Sequence, residues 1–168
     1  GLALVPEGRR LFSRMTVEDN LLAGAYLARC RPTIDTKLEE IYMLFPRLRE
    51  RKNQIVSQMS GGEQQMVSIG RALISSPTII AFDELSLGLS PMMVDEIYKN
   101  LHRIIAGGTT SIIVEQDLKR ALSASNRFCV MLEGSIVLEG KSNEVSLEEI
   151  TAAYFGTTVP ASHGAGHG

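Results

Sequence analysis

The chain has 168 residues, 44% of them hydrophobic and 21% charged, with a formal net charge of −2. That length suits one domain able to bury a sizeable core, and the near-neutral charge leaves no electrostatic footprint for nucleic acid. Apolar runs such as Thr78–Phe82 are far too short to span a bilayer, and Cys30 and Cys129 form no C-x-x-C pair, which suits buried or partly buried free thiols in a reducing cytoplasm.

Gly1-Leu2-Ala3-Leu4-Val5 opens as a buried apolar strand already under way, without an initiator Met, and predicts a fragment of a longer protein. Pro6 and Gly8 then break the strand. Thr16-Val17-Glu18-Asp19 reads as a helix start, with Thr16 as N-cap and acids in the first turn. That helix is expected to reach about Arg29. A second helix over about Ile34–Leu44 sets Leu38, Ile41, Leu44 and Phe45 at helical spacing. Pro46 marks a break, and the basic stretch Arg47–Lys52 reads by default as a solvated helix face. Nothing from there to about Ser76 suggests a strand, so residues 14–76 are expected to form a helical subdomain.

Met59-Ser60-Gly61-Gly62-Glu63-Gln64-Gln65 opens the next helix. Ser60 and Glu63 fit a capping box, which stabilises a helix start by roughly 0.5–2 kcal/mol. A capping box alone would be structural, but each glycine in the first turn weakens a helix by up to about 1 kcal/mol relative to Ala. What the glycines offer is bare backbone N–H at a positive dipole end, open to an anion. An anion site is the better reading.

From Pro77 the pattern changes. Thr78–Phe82 reads as a strand covered on both faces, and Asp83 and Glu84 stand at its C-terminal end, where α/β folds place ligands. Two solvated acids starting a loop are the bland alternative. As a functional pair, Asp83 suits Mg²⁺, directly or through water. Glu84 suits orienting and deprotonating an attacking water, a role worth roughly 10²–10⁴-fold in rate. Ser86-Leu87-Gly88-Leu89-Ser90-Pro91 follows, with Pro91 suited to the first helical position. Val94, Ile97, Leu101, Ile104 and Ile105 then form one apolar helical stripe, ended by Gly107-Gly108.

Ser111–Val114 predicts a second buried strand, after which Glu115, Gln116 and Asp117 bring polar groups to the same sheet edge. A helix near Leu118–Ser125, strands over Phe128–Leu132 and Ile136–Leu138 around Glu133-Gly134, and a helix over Leu147–Phe155 complete the pattern. Such alternation predicts an α/β fold with a parallel sheet, its core over residues 77–156. Residues 157–168 read as a flexible tail, whose His163 and His167 lack a third metal ligand. His102 reads as a surface residue, and the scattered methionines as core filler.

Together these motifs resemble the ATP-binding cassette (ABC) family, a P-loop NTPase-type fold. Ser60-Gly61-Gly62-Glu63-Gln64 matches the family signature, Ile79–Glu84 its Walker B strand, and Ser86–Ser90 its D-loop, while Glu7 within Val5–Arg10 sits at the Q-loop position. The resemblance covers about residues 1–156. Its particular residues are similar to ATP-binding subunits of branched-chain amino-acid importers. The resemblance implies an ATP- and Mg²⁺-dependent ATPase bound to transmembrane permease subunits on the inner face of the cell membrane. It also implies a head-to-tail dimer with a homologous subunit, in which Ser60, Gly61 and Gly62, with Glu63 and Gln64 of the same motif, face the partner's nucleotide. Asp83 would act on Mg²⁺ and Glu84 as base, with Gln116 where most of the superfamily has a switch histidine. The basic stretch would lie in the helical region that docks on the membrane subunit.

Departures from the family pattern are specific. No G-x-x-x-x-G-K-[ST] occurs in the 168 residues, so this chain by itself is expected to be inactive. Glu7 and Gln116 replace the usual glutamine and histidine, as is typical of the branched-chain group. Leu85 replaces the proline after the catalytic Glu, a change expected to loosen the turn that positions Glu84. Two other readings remain: an interaction module without turnover, and a cassette ATPase acting on DNA or ribosomes.

Overall fold

The computed structural model describes residues 1–26 and 28–156. Strands β1 (Leu2–Val5), β2 (Ile79–Asp83) and β3 (Thr110–Val114) form a parallel sheet in that order. Helices α1 (Val17–Ala23), α2 (Ile34–Leu44), α3 (Pro46–Glu50) and α4 (Gly61–Leu73) lie between β1 and β2, and α5 (Pro91–Ala106) connects β2 to β3. Later in the chain come α6 (Leu118–Ala124), an antiparallel hairpin of β4 (Arg127–Leu132) and β5 (Ser135–Lys141), and α7 (Leu147–Tyr154). The chain divides into two compact units, Gly1–Gln116 and the part from Asp117 onward. The predicted α/β class and parallel pairing are those observed. The predicted tail, with His163 and His167, lies outside the described residues.

In the first unit, α4 packs on α1, α2, α3, α5 and β1. Its buried Met66, Val67 and Ile69 meet a core that includes Leu21, Ile41, Phe45 and Leu48. On the sheet side Val5, Ile80 and Phe82 are buried, as are Leu85, Ile97 and Leu101 beyond the strand and on α5. In the second unit, Ile150 of α7 and Val130 of β4 are the buried apolar residues, with Ala124 of α6.

Three expectations need correction. The first helix ends at Ala23, well before Arg29, and its cap Gly24 lies against α4. At Gly24 a Cβ would lie 1.9 Å from the Arg71 carbonyl oxygen, a close approach that only glycine allows. Second, the sheet is not buried on both faces. The registers Leu2↔Ile79, Leu4↔Ala81, Ala81↔Ile112 and Asp83↔Val114 put these residues on one face, where Leu2, Leu4, Ile79, Ile112 and Val114 are 38–72% exposed. Apolar composition set the expectation of burial, but among the described residues cover is supplied to the other face alone. Third, Cys30 is buried as expected, whereas Cys129 is exposed on the hairpin.

Candidate functional site

Three adjacent strand ends form one polar edge. β1 leads to Glu7, β2 ends in Asp83 and Glu84, and β3 leads to Glu115 and Gln116. Ligands of parallel α/β sheets bind outside such carboxyl ends. Glu84 has φ +51°, a left-handed conformation costing of order 1–3 kcal/mol in a non-glycine residue. Two anchors hold it there. The Glu84 N–H donates to the Val114 carbonyl at 2.9 Å, and the next side chain, Leu85, is 1% exposed. Leu85, which stands where proline was expected, is thus packed into the core beside the turn.

Gln116 Nε2 donates to Glu84 Oε1 at 2.6 Å, so residues singled out on separate strands meet. Asp83, half-buried at the end of β2, has no side-chain hydrogen bond or ion pair among the described residues. One uncommitted carboxylate fits Mg²⁺, a hard cation that takes most of its ligands from water and substrate phosphates. Among the described residues no group of three or more His, Cys, Asp or Glu forms a metal cage. Glu7 reaches the same edge and is exposed.

Glu115 was not assigned a role from sequence, yet it organises the loop after Glu84. Its Oε1 accepts the Ser86 N–H at 3.0 Å and the Tyr98 hydroxyl at 3.1 Å, and its Oε2 accepts the Ser86 hydroxyl at 2.8 Å. The signal available beforehand was its position beside Gln116, and its partners are distant in sequence.

The start of α4 divides the signature residues by role. The Ser60 N–H and hydroxyl donate to Glu63 Oε2 at 3.0 and 2.9 Å, and the Glu63 N–H donates back to Ser60 Oγ at 3.3 Å. Arg51 Nε lies 3.4 Å from Glu63 Oε1. Burial opposes ionisation of Glu63, but the Ser60 donors and the charges of Arg51 and Arg47 outweigh it and lower its pKa. Gln64 Nε2 donates to the Val56 and Met59 carbonyls, both at 3.1 Å. The side chains of Glu63 and Gln64, predicted to meet nucleotide, thus hold the helix start. Gly62 is closely packed as well. A Cβ there would lie 2.4 Å from Met93 Cε, so this glycine has a packing reason. Ser60 and half-exposed Gly61 remain to offer the helix N-terminus to a ligand.

The loop carrying Glu7 is fastened to the same helix. A turn with Gly8 at φ +69° is closed by the Arg9 N–H donating to the Pro6 carbonyl at 3.2 Å. Arg9 and Arg10 also take positive φ, +65° and +46°. The Arg9 carbonyl accepts from Ser68 Oγ and Arg71 Nη2, both at 3.1 Å, and the Arg10 carbonyl from Arg71 Nη1 at 2.8 Å. The basic stretch is largely paired with acids: Arg49 with Glu39, Arg51 with Glu63, and Lys52 with Glu18.

A family model described as ABC transporter matches residues 1–86. The high-affinity branched-chain amino acid transport ATP-binding protein BraG of Pseudomonas aeruginosa is 43% identical over 82% of this chain and 58% of its own length. The LivF branched-chain amino acid transport ATP-binding protein of Archaeoglobus fulgidus is 28% identical over 86% of this chain and 61% of its own. The chain therefore spans about three fifths of these relatives. Among solved structures, cbiO1 from Clostridium perfringens, part of the transporter complex cbiONQ, superposes with a TM-score of 0.75 at 25% identity, over 89% of this chain and 61% of cbiO1.

Proposed function

The chain belongs to the ABC transporter family, and on that premise we propose that it forms part of an ATP-binding and ATP-hydrolysing subunit energising a branched-chain amino-acid importer. The reading rests on the polar edge where Gln116 holds Glu84 at 2.6 Å. ATP is the substrate. A water oxygen attacks the γ-phosphorus, the bond to the β–γ bridging oxygen breaks, and the water proton passes to Glu84, leaving ADP and phosphate. Gln116 occupies Oε1 of Glu84, which leaves Oε2 to face the water. Asp83 would hold Mg²⁺, whose charge offsets that of the phosphates, and exposed Glu7 lies at the same edge to help orient the water. Ser60 and Gly61 would meet the γ-phosphate of nucleotide held by a second, homologous subunit in a head-to-tail dimer. Closure and reopening of that dimer would move transmembrane permease partners, with the subunit peripheral on the inner face of the membrane. No helix among the described residues is long and apolar enough to cross a membrane.

Within this reading residues 14–76 act as the helical subdomain and 77–156 as catalytic core. A second reading, an interaction module without turnover, has one observation in its favour: no G-x-x-x-x-G-K-[ST] occurs in the 168 residues. ATP-dependent uptake decides between them. Membrane vesicles carrying the permease and a form of this subunit extended upstream by a phosphate-binding loop should accumulate leucine, isoleucine or valine, and Glu84→Gln should abolish this. Uptake unchanged by Glu84→Gln would reject the proposal.

A further inference from the structure

Two buried donors beside the start of α4 have no acceptor. Arg9 Nε and Gln65 Nε2 are the two buried side-chain polar atoms, among the described residues, without a hydrogen-bond partner. Gln65 as a whole is 4% exposed. An orphaned buried donor is costly, and two on one surface call for a common cause. They do share a surface. A Cβ on Gly61 would lie 3.1 Å from Arg9 Nη2, so the Arg9 guanidinium stands at the helix N-terminus. The Arg9 carbonyl takes the Ser68 hydroxyl, one turn beyond Gln65. Gly61, Gln65 and Ser68 follow helical spacing on one strip of α4, the strip against which Arg9 lies.

The backbone of Arg9 is also held away from its easy conformations. Its φ of +65°, followed by +46° at Arg10, persists because Ser68 and Arg71 bind the two carbonyls. Strain maintained by specific hydrogen bonds is a mark of functional positions, and here it accompanies a guanidinium beside half-exposed Gly61 at a helix N-terminus. A cation, a buried amide donor and a positive dipole end together favour a multiply charged oxyanion.

We propose that Arg9, backed by Gln65, is a phosphate-contacting residue of the composite site: its guanidinium takes the terminal phosphate of nucleotide held by the partner subunit, beside Ser60 and Gly61. This rests on the dimer reading above. It adds a link between the two sites, since the turn that presents Glu7 to the chain's own nucleotide also presents Arg9 to its partner's.

The test uses the upstream-extended form with Glu84→Gln, which should bind ATP and dimerise without turning it over. Adding Arg9→Gln should weaken ATP-driven dimerisation about ten- to hundredfold, while ATP affinity of the monomer and thermal stability stay unchanged. Arg9→Lys should recover part of the loss. Gln65→Met, which removes an orphaned donor at similar volume, should leave stability equal or higher yet also weaken dimerisation. If Arg9→Gln dimerises like its parent, or loses monomer ATP affinity in the same proportion, the role in the partner's site is overturned. If the Glu84→Gln parent fails to dimerise with ATP, the dimer reading itself fails and this inference with it.

Discussion

At the residue scale, the same few carboxylates do different work because their surroundings differ. Glu84 stands half-buried in a left-handed turn, with one oxygen taken by Gln116. Glu115 is saturated by Ser86 and Tyr98 and acts as a positioning residue for the loop. Glu63, 4% exposed, completes the capping box of α4 with Ser60. Its pKa is lowered, so its contribution to stability is complete above the ordinary value of 4.5 and fades as pH falls through the folded-state value. Wild type should therefore exceed Glu63→Gln in urea midpoint near neutrality, and the gap should close as pH falls below the ordinary value of 4.5. A gap that widened on acidification would show that Glu63 is stabilised in its neutral form. Adjacent carboxylates were legible in the sequence as chemistry-bearing. Their partners were legible only where both stood at strand ends, as with Glu84 and Gln116.

At the element scale, α4 ties the first unit together: its start carries the signature, its middle packs on α1 and β1, and its Arg71 clamps the loop after β1. Gly24 lies where that clamp meets α1. Gly24→Ala would set a methyl 1.9 Å from the Arg71 carbonyl oxygen and should destabilise the unit by about 1–3 kcal/mol, read as a lower urea midpoint. An unchanged midpoint would mean that α1 has room to shift. Local signals fixed the elements well. Thr16 as N-cap and the Ser60 capping box set the starts of α1 and α4 as expected, and the span of α2 is the predicted Ile34–Leu44. Misjudged features had long-range causes. α1 ends early at Gly24, which lies against Arg71, and the close packing of Gly62 on Met93 was not foreseen. Neither neighbour is visible from local periodicity.

At the scale of the whole molecule, the polar edge and the bare sheet face belong to the same three strands. Parallel sheets are normally covered on both sides, yet Leu2, Leu4, Ile112 and Val114 are exposed here. The chain spans 58% of the length of its Pseudomonas relative. The sequence showed an α/β alternation but not which face had cover, because apolar strand residues read alike whether or not anything packs on them. The most direct measurement is MgATP hydrolysis by three proteins: the 168-residue chain, a form extended upstream by a G-x-x-x-x-G-K-[ST] segment, and that form with Glu84→Gln. Turnover is expected in the extended form alone, with Glu84→Gln lowering it by at least about a hundredfold. Hydrolysis by the 168-residue chain itself, or full activity with Glu84→Gln, would contradict it.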